Sequence, residues 1–362
     1  MRAALFSFGL VAAVATAAAP SPSSSKKAWV APGTPGSPID GELFHAQVLL
    51  AGAGFSPGPI DGKKGTSLTQ AIKGFQEANG LQTSGKLDGP TRTALLRQNR
   101  LSTAYVKLTK DEVAGPFVYP FPKKPEAQAK LKVMGYRNML EKVAEEYHTT
   151  PQAIVALNGP EKLIGPGQTL RLPNIAPASR DYGGALNDKQ AQLMAMLNVN
   201  GAAPKGDFVV VDKSDGTLRV YKSGGGGKPD AVKSSGNGKS PTVPSGTLIA
   251  QFPVTTGSSH DPLPLGTWKA TTFSFLPPFN YQPDLFWDVA DDKAEQKLPP
   301  GPNGPVGVAW LDLTKEHYGI HGTNEPSTIG HTESHGCLRL TNWDVMQLSR
   351  MMKPGFTAYF VA

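Results

Sequence analysis

The chain has 362 residues, of which 39% are hydrophobic and 18% charged, a balance that argues against a disordered or polytopic membrane protein and leaves room for two or three domains. The formal net charge is +7, which suits contact with a polyanion, but no block of five or more Lys/Arg and no aromatic-interleaved basic motif occurs, so nucleic acid is not expected as a partner. With 40 glycines and 33 prolines, turns, strands and linkers are expected rather than a helical bundle.

At the N-terminus, Arg2 precedes an apolar, Ala-rich run from Ala3 to Ala19, followed by Pro20 and the Ser-rich stretch Ser21–Ser25. A short positive region, an apolar region and small residues at Ala17-Ala18-Ala19 form the pattern of a cleaved export signal over residues 1–19. An uncleaved anchor is the rival reading, weakened by Ser7, Gly9 and the low hydrophobicity of Ala. No other run approaches the ~20 apolar residues needed to span a bilayer, so no transmembrane segment is expected once the signal is removed. Residues 20–38 read as a flexible leader.

Residues 39–98 read as a small helical module. Leu43, Ala46, Gln47 and Leu50, then Ala71, Phe75 and Leu95, fall at helical spacing, and Ile60-Asp61-Gly62 and Leu87-Asp88-Gly89 punctuate the loops before helix starts. Three short helices with Asp-Gly loops resemble the peptidoglycan-binding module found beside many wall enzymes. Residues 117–130 carry three prolines and read as a spacer. A compact strand–helix–helix–strand unit is expected over 131–174, with Thr150-Pro151 starting its second helix and Thr169–Leu172 forming its last strand. Through Leu157-Asn158 and Pro166–Pro173 this unit resembles a LysM glycan-binding repeat, although Gly135–Leu140 departs from that repeat's usual opening.

From residue 207 onward the texture is β. Phe208–Val211, Leu218–Tyr221, Thr247–Val254 and Trp268–Phe273 are predicted strands, and Asp344–Met352 a helix. The Gly/Ser/Lys-rich stretch 223–245 reads as a mobile surface loop. The Pro-rich stretch 275–304, with Phe275, Phe279, Tyr281, Phe286 and Trp287, is either pinned to the body by its aromatics or serves as a lid over a groove.

The chain has a single cysteine, so an intramolecular disulfide is impossible, and four of the seven histidines precede it between His317 and His335. The segment runs His317-Tyr318-Gly319-Ile320-His321-Gly322-Thr323, then Ser334-His335-Gly336-Cys337-Leu338-Arg339-Leu340. A thiol becomes a strong nucleophile as thiolate, and an adjacent imidazole is the usual means of taking its proton. Both His321 and His335 are candidates. If Trp310–His321 is one strand and Cys337 begins the next element, His321 reaches the thiol across strands. Glycines 322 and 336 let backbone N–H groups converge into an oxyanion hole. Zinc is the rival reading. His317 and His321 would stand ~13 Å apart on one strand, too far for one ion, whereas His331, His335 and Cys337 could converge. Buried core histidines beside an inert thiol are the other alternative.

His-Gly-Thr followed by Ser-His-Gly-Cys-Leu-Arg-Leu resembles the signature of the YkuD-type L,D-transpeptidases, and the similarity extends upstream to Thr255-Thr256-Gly257 and Pro264–Trp268 and downstream to a last strand at Thr357–Val361. The resemblance implies a mainly β catalytic domain over 207–362, a β-sandwich, preceded by the three-helix module and the LysM-like βααβ module. It implies Cys337 as nucleophile, His321 as general base oriented by the Gly322 carbonyl, and the backbone around His335, Gly336 and Cys337 as oxyanion hole. Arg339, Ser334 and Thr323 are the implied substrate-binding residues, with a structural ion pair as the alternative for Arg339. No cofactor and no metal are implied. The implied partners are peptidoglycan stem peptides and glycan, with carbapenems as inhibitors, in the periplasm or cell wall.

Overall fold

The computed structural model describes residues 29–30, 34, 36–184, 186–224, 241–258, 260–285, 294–330 and 336–362. The export signal, most of the leader, most of the 223–245 loop, Phe286, Trp287, His331, Ser334 and His335 lie outside these residues. Among the described residues no helix is long and apolar enough to cross a membrane.

Three helices open the chain, α1 (Gly41–Gly52), α2 (Thr66–Ala78) and α3 (Gly89–Leu96). Asp40 caps α1 by accepting from the N–H groups of Glu42 and Leu43, and Asp88 caps α3 from Thr91, with Pro90 in its first turn. Their apolar faces do not close on themselves alone. Leu49, Leu50, Phe55, Leu68 and Phe75 share one buried cluster with Phe208, Val210, Tyr221 and Leu248 of the C-terminal sheet. Gln251 of that sheet donates to the Gln70 carbonyl at 2.7 Å. Helix α2 approaches so closely at Gly74 that an added Cβ would fall 2.9 Å from the Gln251 side-chain carbon.

A two-stranded sheet follows, β1 (Thr103–Lys107) against β2 (Thr169–Pro173), antiparallel from Thr103↔Pro173 to Lys107↔Thr169. Between these strands lie the short α4 (Pro125–Gln128) and then α5 (Met139–Glu146) and α6 (Pro151–Asn158), capped by Asn138 and Thr150. The expected order strand–helix–helix–strand occurs with an additional short helix, α4, and the first strand comes from 103–107, outside the expected bounds of 131–174. Residues 108–138 are an excursion between that strand and its first helix. The physical reason is the ladder itself: Leu170 and Leu172 find their buried apolar partners across it with β1, Leu108 and Val113.

After α7 (Asp188–Met196) the chain builds β3 (Phe208–Asp212), β4 (Thr217–Ser223), β5 (Gly246–Pro253), β6 (Gly266–Phe275), the ribbon β7 (Phe279–Tyr281) with β8 (Gln296–Leu298), then β9 (Ala309–Leu313), β10 (Gly319–His321), β11 (Leu338–Arg339), α8 (Asn342–Met351) and β12 (Thr357–Val361). Eight of these strands form one sheet in the order β11-β10-β9-β6-β12-β3-β4-β5. The expected β-sandwich is therefore a single curled sheet. Strand β6 makes the curl: its first residues pair with β12, its last with β9, and the register shifts between Ala270 and Phe273. The two edges meet, because Thr255 and Arg339 exchange N–H···O bonds of 3.0 and 2.9 Å. The curl wraps a core of Val209, Phe252, Leu311, Ile320, Leu338, Leu348 and Phe360, with α8 packed into it.

Candidate active site

Strands β9, β10 and β11 set out the site. β9 and β10 form a hairpin with His321 opposite Trp310, and β10 runs parallel to β11 with Ile320 opposite Leu338 and His321 opposite Arg339. Trp310–His321 is therefore two strands rather than the one expected. The turn between them contains His317 at φ +63°, so His317 and His321 do not share a strand face. Ala309, Leu311, Ile320, Leu338 and Leu340 all enter the core. Alternation then puts Trp310, Gly319, His321, Cys337 and Arg339 together on the opposite face. Cys337 immediately precedes β11, level with Gly319 and diagonal to His321.

His321 is buried, with Nδ1 at 2.7 Å from the Gly322 carbonyl oxygen. A carbonyl only accepts, so Nδ1 carries the proton and Nε2 presents a lone pair. The imidazole stacks on the Trp310 indole at 5.3 Å and 15°. Burial, and secondarily the charge of Arg339, lower its pKa to about 3, against the opposing pull of the Gly322 carbonyl. Trp310 reaches this place because position 319 is glycine; a Cβ there would collide with the indole ring.

The half-buried thiol of Cys337 donates to the His317 carbonyl at 3.6 Å. Burial pushes its pKa up, while the Gly319 backbone and the Arg339 charge oppose that shift. Thiol and imidazole are both neutral at rest, a pair in which proton transfer can accompany attack. Gly336 adopts φ +107°, a conformation that favours glycine, and a Cβ there would press on the Tyr318 ring at 3.2–3.3 Å.

Thr323 is buried, and its hydroxyl accepts from the Glu325 N–H at 3.2 Å. Arg339 forms no ion pair among the described residues, and it lines a cavity of about 230 Å³ with Thr323, Asn324, Glu325 and Asn303. Among the described residues no group of three His, Cys, Asp or Glu side chains is disposed to hold a metal ion. The structure thus brings Cys337, His321, Gly322, Gly336 and Arg339 together. Trp310, Gly319 and Tyr318 are neighbours that the motif alone does not single out.

Residues 206–361 match the L,D-transpeptidase catalytic domain family (YkuD), and residues 40–95 match a family described as "Putative peptidoglycan binding domain". Among curated relatives, the chain is 54% identical over 56 residues to "Putative L,D-transpeptidase YkuD" of Bacillus licheniformis, covering 16% of this chain and 34% of the relative. It is 39% identical over 64 residues to "Probable L,D-transpeptidase YbiS" of Escherichia coli K12, covering 18% of this chain and 21% of the relative. The matched stretches thus span about a third or less of these relatives. Of solved structures, an L,D-transpeptidase from Mycobacterium smegmatis aligns at 18% identity and TM-score 0.30, covering 43% of this chain and 58% of that one.

Proposed function

We propose that the chain is an exported peptidoglycan L,D-transpeptidase acting in the periplasm or cell wall, with Cys337 as nucleophile and His321 as its base. The observation that carries this reading is the parallel pairing of β10 with β11, which supports a thiol just before β11 working with the His321 imidazole, whose Nδ1 is held by the Gly322 carbonyl and whose Nε2 is left to take a proton. The catalytic-domain match over residues 206–361 supports it independently.

The chemistry proposed for that pair is an acyl transfer in two steps. The Cys337 thiol passes its proton to His321 Nε2 as sulfur attacks the carbonyl that joins the third, L-linked stem residue to the fourth D-residue. Backbone N–H groups of His335, Gly336 and Cys337 are proposed to receive the oxyanion. The C–N bond breaks, the imidazolium returns its proton to the departing D-amino acid, and a thioester remains. The side-chain amine of a diamino acid on a neighbouring stem then attacks the thioester and regenerates the thiol, leaving a 3→3 cross-link. Arg339, with Thr323 and Ser334, is proposed to meet a substrate carboxylate, a role supported by the cavity that Arg339 and Thr323 line. The helical module over 40–95 contacts the wall polymer, and the βααβ unit serves as a LysM-like element beside it.

The test is mass spectrometry of products from disaccharide-tetrapeptide muropeptides. A dimer lacking one terminal D-amino acid, absent with Cys337→Ala, is expected. Tripeptide alone points to water as acceptor and an L,D-carboxypeptidase. Transfer to a protein lysine points to lipoprotein anchoring. A Cys337→Ala protein that still makes dimer sinks the nucleophile assignment. By the same reasoning carbapenems acylate Cys337, seen as a mass increase missing from the variant.

A further inference from the structure

The first turn of α8 is where three parts of the chain meet. The Asn342 side-chain amide donates to Glu145 Oε1 at 2.5 Å and to the Pro302 carbonyl at 3.2 Å, and its oxygen accepts from the Val308 N–H at 3.0 Å. Glu145 lies on α5, 197 residues upstream. The next residue, Trp343, stacks on His148 at 5.0 Å and 11°, and Asp344 accepts from the Ser56 hydroxyl at 2.9 Å. Three consecutive residues thus take partners from the two upstream units.

Asn342 also faces the site. A Cβ placed on Gly322 or on Gly307 would land on the Asn342 oxygen, so the backbone of both glycines rests directly against this amide. Gly322 is the residue whose carbonyl holds His321 Nδ1, and its own N–H bonds the Ala309 carbonyl at 3.2 Å, next to the Val308 that Asn342 holds. The helix itself does not require asparagine here, because Thr341 is the cap and accepts from Asp344 N–H at 3.1 Å. The amide is fully buried and all its hydrogen-bonding groups are engaged, so its orientation is set by its partners and one of them belongs to the upstream unit.

We infer that Asn342 is a positioning residue: anchored by Glu145, it fixes the Gly322 carbonyl and through it the His321 imidazole, so that the upstream βααβ unit is a structural part of the catalytic site. The inference rests on the proposed role of His321. It is distinct from a wall-binding role for that unit, because Glu145 acts through Asn342 and touches no reacting atom. Loss of the Glu145 acceptor leaves one buried Asn342 N–H unpaired, so the amide, still bonded to the Pro302 carbonyl and the Val308 N–H, is less firmly fixed beneath Gly322.

The experiment compares Asn342→Ala, Glu145→Leu and Glu145→Gln in the full chain. Measured are kcat and KM for muropeptide turnover, the rate of carbapenem acylation, and the ¹⁵N shifts of the His321 ring. Asn342→Ala and Glu145→Leu should lower kcat and the acylation rate by ~10- to 100-fold at unchanged KM, and should shift the ring from the single Nδ1-protonated tautomer to a mixture. Glu145→Gln, whose amide oxygen still accepts from Asn342, should restore both readouts. Should Asn342→Ala fail to fold, Glu145→Leu carries the test, since it replaces a buried carboxyl by an apolar chain of similar length. A folded Glu145→Leu protein with wild-type kcat and an unchanged ring signature overturns the inference while leaving the transpeptidase reading intact. A wild-type protein inert to both muropeptides and carbapenems removes that reading instead, and the ring tautomer then decides the positioning role alone.

Discussion

Asp344→Asn should remove the pH dependence that this carboxyl imposes on stability. Asp344 is buried, and its pKa is raised from 3.8 to about 7 by that burial, against hydrogen bonds with Thr341 and Ser56 that pull it down. A carboxyl raised in the folded state binds its proton more tightly there than in the unfolded chain. Its contribution is therefore complete below the unfolded pKa and is lost as pH rises toward the folded one. At about 1.4 kcal/mol per pKa unit, the full penalty above pH 7 is roughly 4 kcal/mol, and the part falling between pH 5 and pH 8 is roughly 2–3 kcal/mol. Asparagine can still accept from the Ser56 hydroxyl, and it does not titrate. Glu145 and Glu146, each raised to about 8 chiefly by burial, slope in the same direction in both proteins and cancel in the difference. Thermal melts of the two proteins at pH 5, 6.5 and 8 should show the gap widening in favour of the variant by roughly 3–4 °C across that range, the shift expected when the whole chain melts as one unit. Parallel melting curves across the range would refute the burial argument for this carboxyl.

The rate of Cys337 acylation should be flat from pH 5 to pH 8. The His321 pKa is lowered to about 3 and the thiol raised, so both stay neutral across this window and the pair titrates only outside it. An inflection near pH 6.5, or a tenfold rise per pH unit, would contradict it. Gly319→Ala should displace the Trp310 indole from its stack on His321 and slow acylation by ~10-fold or more, with little change in fold; an unchanged rate would show the stack to be dispensable. Leu50→Ala should cost about 2–5 kcal/mol and lower a single calorimetric transition, because Leu50 is buried in the cluster that joins the helical module to the sheet. A separate early transition of the helices would contradict a shared core.

The local signals in the sequence were of the kind that stay local. Thr150-Pro151 and Asp88-Gly89-Pro90 open helices because a side-chain cap and a fixed proline φ act within one turn, and both helices start there. The residues around Cys337 were legible because the chemistry needs them within one short motif. Non-local pairings were not legible. Thr103–Lys107 bears no mark that its partner is Thr169–Pro173, since that ladder depends on which apolar faces meet after the intervening helices fold. The hairpin between Trp310 and His321 did leave a trace: the polar run Thr314-Lys315-Glu316 interrupts the apolar alternation where the turn falls. The choice between a sandwich and one curled sheet turned on a register shift inside β6, which alternation does not encode.

Asn342 shows why the rest of the site was hidden. In sequence it stands beside a helix start, and its side chain is of the type that caps helices, so a local reading assigns it to the helix. In the fold the cap is Thr341, and the Asn342 amide turns away to hold Val308, Pro302 and Glu145. The two glycines that accommodate it, Gly307 and Gly322, carry no mark of that partnership, because a glycine that yields to a neighbouring atom looks like one that makes a turn. The base proposed at His321 is thus set in two tiers. The motif supplies the imidazole and the carbonyl that orients it, and the floor beneath that carbonyl is supplied by a residue held from a unit 197 positions upstream. Accuracy at the thiol–imidazole pair then depends on docking between units as much as on the motif, and that dependence is what the Glu145 substitutions probe.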